Sequence, residues 1–226
     1  MTQEEKYNRL KKDYDDFVYI VSHDFRASFR KINSLTGWMK EDLESEDLSD
    51  MKDNIKLLQR SAKQMDGMLH GLTMISRVDR IERIETEVNI EKLIQLVINE
   101  NNLKFKKIET KGQSPIFKTN EEKLKNILTE VLKNAYIFNN SQEKQVIINW
   151  SFSDSKITLE IIDNGIGIAN KDHEMPFKLF YNEHFKTKID TTGYGLTYAR
   201  KLVESEEGTI SINNSSELGT TIKIKL

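Results

Sequence analysis

Residues 161–168 read IIDNGIGI, and the reading of that stretch decides what the second half of the chain is. It follows the strand-like run KITLEIID, in which Ile157, Leu159, Ile161 and Asp163 share one face because side chains alternate. A carboxylate therefore ends an apolar row, where burial is costly unless a donor meets it. Gly165 and Gly167 come next and let the backbone turn tightly and approach a ligand closely. A carboxylate at the floor of an apolar slot suits the amino group of an adenine. Asp-Asn-Gly is also common turn chemistry, so this segment alone leaves both readings open.

Two further segments extend the pattern. In TTGYGLTYARKL (191–202), Gly193 and Gly195 immediately precede a helix. Free backbone N–H groups and the positive helix end converge there on a ready anion site. The GKS/T ending of a P-loop is absent, as is G-x-G-x-x-G. In TEVLKNAYIF (129–138), Leu124, Ile127, Leu128, Val131, Leu132 and Ala135 form the buried stripe of the helix that contains it. Glu130 and Asn134 are left at i, i+4 on a neighbouring face. An amide oxygen is a hard ligand suited to Mg²⁺, and Glu130 would orient one of the ion's waters. Taken singly, these two segments also fit a flexible loop and a solvated polar pair.

The rest of residues 88–226 alternates between strand and helix patterns. Asn89 and Asn120 are expected to cap helices over NIEKLIQLVINEN and EEKLKNILTEVLKNAYIF. KKIETKG and PIFKT read as short strands, and QVIINWSFS with KITLEII as a β-hairpin. The polar stretch NKDHEMPFKLFYNEHFKTKIDTT separates the glycine clusters, and GTISINN and GTTIKIKL close the chain as strands. The expectation is an α/β sandwich, a mixed or antiparallel sheet with helices on one face.

Residues 1–87 are helical in period. Phe17, Val21, Phe25, Ile32, Leu35 and Met39 follow helix-face spacing, with small Ser28 in the same row. Beyond ESEDLSD, a four-three repeat runs through Met51, Ile55, Leu58, Ala62, Met65, Leu69 and Leu72. Two such helices make an all-α hairpin with an unfinished core, and dimerisation into a four-helix bundle completes it most simply. Within VSHDFRASFR (21–30), His23 lies roughly 200° around the helix from Val21, facing solvent. His70, His173 and His184 form no metal-ligand spacing with it.

Composition bounds the function classes. A net charge of −2 gives no electrostatic footprint for nucleic acid. The absence of cysteine removes disulfides, thiolate metal sites and cysteine nucleophiles, and fits a cytoplasmic location. No apolar run approaches membrane-spanning length, and MTQEEKYNRL is too charged for a signal peptide, so a membrane sensor is not expected within this chain.

The order of these segments is more specific than any one of them. An asparagine helix, Asp-x-Gly-x-Gly after a strand, a long lid and Gly-x-Gly at a helix start together resemble the Bergerat ATP-binding fold. With SHDFRASFR as an H box, LTEVLKNAYIF as an N box, DNGIGI and TTGYGL as glycine boxes and FKLFYNEHF as an F box, the chain resembles the core of a two-component sensor histidine kinase. ELGTTIKIKL is similar to that family's closing glycine-and-strand segment.

The resemblance implies ATP and Mg²⁺ as cofactors and a homodimer with a response regulator receiver domain as partner. It makes His23 the phosphoacceptor, with Asp24 fixing its tautomer. Asp163 would bind adenine, with Gly165 and Gly167 shaping its turn, and Gly193 and Gly195 would cradle phosphates. Asn134 would coordinate Mg²⁺, supported by Glu130 through water. The sequence departs from the pattern at Ala27, Ser28, Ile137, Thr191 and Tyr194. Ile137 replaces a base expected at the phosphates, and Lys133, Lys186 and Lys188 are the candidates to replace it. The alternative is an ATP-inactive dimeric phosphotransfer or scaffold protein; an ATP-driven clamp, like the topoisomerase and chaperone relatives, would hydrolyse ATP without phosphohistidine.

Overall fold

The computed structural model describes residues 3–82, 84–113, 116–153, 156–168, 173–181, 191–216 and 219–226. It forms two compact units, Met1–His70 with Asp190–Thr192, and Gly71–Ile189 with Gly193–Leu226.

The first unit is built on α1 (Gln3–Glu44) and on α2 (Met51–Arg77), whose last turns enter the second. Helix α1 runs unbroken through Ser28, one of the positions at which the sequence departs from the expected motif pattern. It stops at a left-handed residue, Glu46 (φ 57°), and Asn54 donates to Asp42 at 3.3 Å across the turn. Ser28 and Leu35 are buried and Val21, Phe25, Ile32 and Met39 half-buried, which is the expected stripe; the side chain of Phe17 lies outside the described residues.

The single row expected on α2 divides in two. Ser61 and Met68 are buried with Leu58 and Met65 beside them, while Ile55, Ala62 and Leu69 are exposed, Leu69 at 53%. An apolar stripe about 100° wide reaches past the contact line of a single partner helix. Val18, Phe29 and Leu43 flank the stripe of α1 in the same way and are also exposed. The hairpin therefore carries a second apolar face that the described residues leave open.

The second unit is an α/β sandwich. Its five-stranded mixed sheet has the order β2 (Lys107–Gly112), β4 (Gln145–Ser153), β5 (Lys156–Asp163), β7 (Gly219–Lys225), β6 (Thr209–Ser216). Strand β2 is parallel to β4 and the other pairs are antiparallel. Alternation puts Val146, Ile148, Trp150, Ile157, Leu159, Ile161, Ile222 and Ile224 on the inner face. There they share one core with the buried stripes of α3 (Ile90–Glu100), α4 (Glu121–Ile137) and α5 (Gly195–Ser205). The outer face is polar, as in the Glu160–Lys223 cross-strand pair at 3.2 Å.

Local chemistry fixes the helix ends. Asn89 accepts from Lys92 N and Asn120 from Lys123 N, each at 3.0 Å, as the cap pattern predicts. Asn120 also donates to the Glu82 carbonyl at 2.6 Å, tying α4 to the segment before it. Lys123 is almost fully buried and pairs with Glu206 at 2.5 Å and Ser205 at 3.0 Å, which joins the start of α4 to the end of α5.

Two features have no sequence expectation behind them. Strand β1 (Thr86–Asn89) pairs antiparallel with β3 (Ile116–Thr119), and the last turns of α2, through Met74 and Ile75, join the core of the second unit together with Val78 of the 3₁₀ turn that follows.

Candidate functional site

Asp163 ends β5 in the row expected for it, and its carboxylate is largely buried. Its Oδ1 accepts from the backbone N–H of Gly165 at 2.8 Å and of Thr220 at 3.2 Å. Burial pushes the carboxyl up to about 6, and these two N–H groups oppose the rise. Among the described residues nothing donates to Oδ2, which leaves that oxygen to a ligand. Thr220 is a site residue that the sequence reading missed. Its signal was Gly219, whose φ of 130° brings the backbone so close that a Cβ there would overlap the Asp163 carbonyl.

The turn after Asp163 is clamped to the end of α4. Ile166 N donates to the Phe138 carbonyl at 2.9 Å, and a Cβ on Gly165 would come within 2.4 Å of that oxygen. Only glycine fits the approach. Gly167 holds φ 70°, so both glycines of DNGIGI have a conformational or steric reason.

Helix α4 buries Leu124, Ile127, Leu128, Val131, Leu132 and Ala135 as expected. Glu130, Lys133, Asn134 and Ile137 share its other face. The first three are half-buried and Ile137 is exposed. A Cβ on Gly195 would meet Glu130 Oε2 at 2.6 Å, so the asparagine helix and the second glycine cluster do come together. The Glu130 carboxylate also lies close enough to add to the effect of burial in raising Tyr194 and Tyr198, the latter to about 12. Gly193 holds φ 72° against the backbone of Phe180 and Tyr181.

Part of the stretch expected as a lid lies within the described residues. Met175–Phe177 forms a 3₁₀ turn, and Phe177 and Phe180 are buried. Arg200 stacks on the Phe177 ring at 3.8 Å and pairs with Glu174 at 2.8 Å, while Thr197 holds the Phe177 carbonyl. The polar letters around these phenylalanines hide two apolar anchors. Lys186 and Lys188 lie outside the described residues.

In the first unit His23 points outward, with 60% of its side chain exposed. Its Nδ1 meets Asp24 Oδ1 at 3.0 Å, and the Tyr19 ring lies nearly parallel one turn earlier, 6.2 Å between centroids. With Nδ1 engaged, Nε2 is the nitrogen open to a reactant.

Residues 119–226 match the histidine kinase-, DNA gyrase B-, and HSP90-like ATPase family. Among curated proteins, the chain is 24% identical over 227 residues to cyanobacterial phytochrome B of Nostoc sp., and 24% over 223 residues to the methanogenesis regulatory histidine kinase FilI of Methanothrix harundinacea. These alignments cover 96% and 95% of the chain, which spans only 30% and 24% of the two relatives. Histidine kinase ThkA, solved in complex with response regulator protein TrrA, matches 100% of this chain and 67% of its own with a TM-score of 0.66 at 20% identity. Full-length ShkA in complex with AMPPNP matches 77% of this chain and 38% of its own, with a TM-score of 0.59 at 20% identity. Residues 119–226 thus form a histidine kinase-, DNA gyrase B-, and HSP90-like ATPase domain, and along its length the chain is similar to proteins that include the histidine kinase FilI.

Proposed function

We propose that the chain is an ATP-dependent protein-histidine kinase that phosphorylates His23 and passes the phosphoryl group to an aspartate of a response regulator receiver domain. The supporting observation is an outward histidine, its Nδ1 engaged by Asp24 and its Nε2 open, in one chain with a buried, partly satisfied Asp163. Nε2 attacks the γ-phosphorus of ATP, ADP leaves, and the imidazole proton is shed to solvent. Asp24 stabilises the imidazolium formed on the way.

The donor set fits the ligands. Asp163 Oδ2 would accept from the adenine amino group, with Gly165, Gly167 and Thr220 shaping the turn and the backbone around it. Gly193, ahead of α5, and Gly195, its first residue, would cradle the phosphates. Among the described residues no cluster of three or more His, Cys, Asp or Glu forms a metal cage. One amide oxygen on Asn134, with Glu130 through water, suits a Mg²⁺ that arrives on the nucleotide's phosphates and neutralises their charge when bound. Lys133 is the described base on that face, and it makes no ion pair among the described residues. Residues 1–87 act as the dimerisation and phosphoacceptor module and 88–226 as the catalytic module, working in the cytoplasm. The open apolar face of Val18, Phe29, Leu43, Ile55, Ala62 and Leu69 supports a homodimeric four-helix bundle. Leu69→Glu then yields monomer in sedimentation, where wild type sediments as a dimer.

Ile137 favours the second reading, a phosphotransfer scaffold without ATP, because an exposed apolar side chain stands on the ligand face of α4. Calorimetry with Mg-ATP, followed by mixing of the phosphorylated chain with receiver domains, separates the two. Binding and transfer support the kinase. Phosphoryl uptake from a phosphorylated receiver without nucleotide binding supports the scaffold.

A further inference from the structure

We infer that Asn139 and Asn164 form a strut that sets the span between the adenine end and the phosphate-and-metal end of the site, which makes Asn139 a positioning residue for a ligand that touches both. The inference rests on the nucleotide reading of that site.

Asn139 stands just beyond α4 and is 2% exposed. Its Nδ2 donates to Asn164 Oδ1 at 2.8 Å, and its Oδ1 accepts from Ser141 N at 3.0 Å. Asn164 Oδ1 also accepts from Gln145 N at 2.8 Å, while its Nδ2 donates to the Glu143 carbonyl at 3.0 Å. Backbone partners thus fix which end of the Asn164 amide is oxygen, and with it the direction of the amide–amide bond. A buried amide such as Asn139 is costly unless satisfied, and both of its ends are engaged.

The position of the pair gives it a function. Asn164 directly follows Asp163, and Asn139 lies five residues beyond Asn134. Phe138 N bonds the Asn134 carbonyl at 3.0 Å, and Ile166 N bonds the Phe138 carbonyl at 2.9 Å. Two ties therefore run side by side from the Asn134 end of α4 to the Asp163 turn. One is backbone, and the other is made by side chains that substitution removes. Loosening the second leaves each end intact and frees the distance between them. A ligand held at one end does not sense that distance, whereas a ligand held at both loses the advantage of linked contacts.

The test uses the full chain with Asn139→Ala and Asn139→Ser, the second retaining a hydroxyl for Ser141 N should the first fold poorly. Mg-ATP and adenosine affinities are measured by calorimetry and ligand-observed NMR, with melting temperature as a separate readout. The expected result is Mg-ATP binding weakened about tenfold and adenosine binding changed less than about twofold, a split typical of lost linkage. A lower melting temperature with both affinities unchanged, or both reduced in parallel, overturns the strut and leaves Asn139 a structural residue. Wild type that binds adenosine but gains nothing from Mg-triphosphate removes the nucleotide reading itself, and the strut falls with it.

Discussion

His23 stands on a helix surface with Asp24 and Tyr19 for neighbours, whereas Asp163 is buried, held by two backbone N–H groups and followed by a turn clamped to α4. The contrast follows from their proposed tasks. A nucleophile that must meet a nucleotide and then another protein gains from exposure, because every contact to the rest of its own chain would have to be broken twice. A group that holds one ligand in one orientation gains from being fixed beforehand, since ordering it at the moment of binding would cost affinity. Burial has its own cost, and the raised carboxyl of Asp163 is where that cost appears.

The largest expected effect breaks the binding side. Asp163→Asn keeps the two N–H bonds to Oδ1 but turns the ligand-facing oxygen into a donor. Mg-ATP affinity should fall by about a hundredfold or more, the cost of leaving buried donors facing each other. The unliganded protein should at the same time become more stable at pH 7.5, by up to about 3 kcal/mol, because the substitution removes a buried charge. Urea melts beside calorimetry check both, and a variant that is weaker in both respects would mean that Asp163 is chiefly structural.

Rigidity in the second unit can be attacked away from the ligand. Glu206→Ala strands the buried Lys123 ammonium between α4 and α5, and should destabilise the fold by about 3 kcal/mol. The exposed pair Lys56–Asp53 on α2, at 2.8 Å, should matter by well under about 1 kcal/mol. Denaturant midpoints compare the two directly.

Titration sharpens the same contrast. The folded state raises the Asp163 carboxyl to about 6, so the fold prefers it protonated. Its destabilising effect is present above pH 6 and disappears as the pH falls through 6 toward 4. Adenine recognition needs the ionised form, so Mg-ATP affinity should be level above about pH 7 and drop about tenfold per pH unit below 6. Stability and binding therefore move in opposite directions over that window, and Asp163→Asn should flatten both trends. A further effect belongs to the open side. Asp24→Asn keeps a hydrogen bond to Nδ1 but loses the charge, and should slow labelling of His23 by about tenfold with Mg-ATP affinity unchanged.

Much of this was legible in the letters, and the reasons differ by element. The caps at Asn89 and Asn120, the β4–β5 hairpin and the Ile157–Asp163 row follow from local rules that tertiary structure had no cause to override. His23 pointed outward because helical periodicity is strict. The α2 row divided because one stripe can serve two interfaces, and periodicity does not say where one ends. Phe177 and Phe180 carry the F-box resemblance, but their burial does not follow from a stretch whose neighbours are polar. Thr220, Asn139 and Asn164 were invisible for a different reason: their partners lie 57 and 25 residues away in sequence, and no local pattern announces such a bond.

The most direct measurement is incubation of wild type and His23→Ala with Mg-ATP labelled on the γ-phosphate, followed by acid treatment of the labelled protein. Acid-labile label on wild type and none on His23→Ala, with nucleotide binding equal in the two, is the expected result. Label that survives acid, or label retained by His23→Ala, would contradict the assignment of His23 as phosphoacceptor.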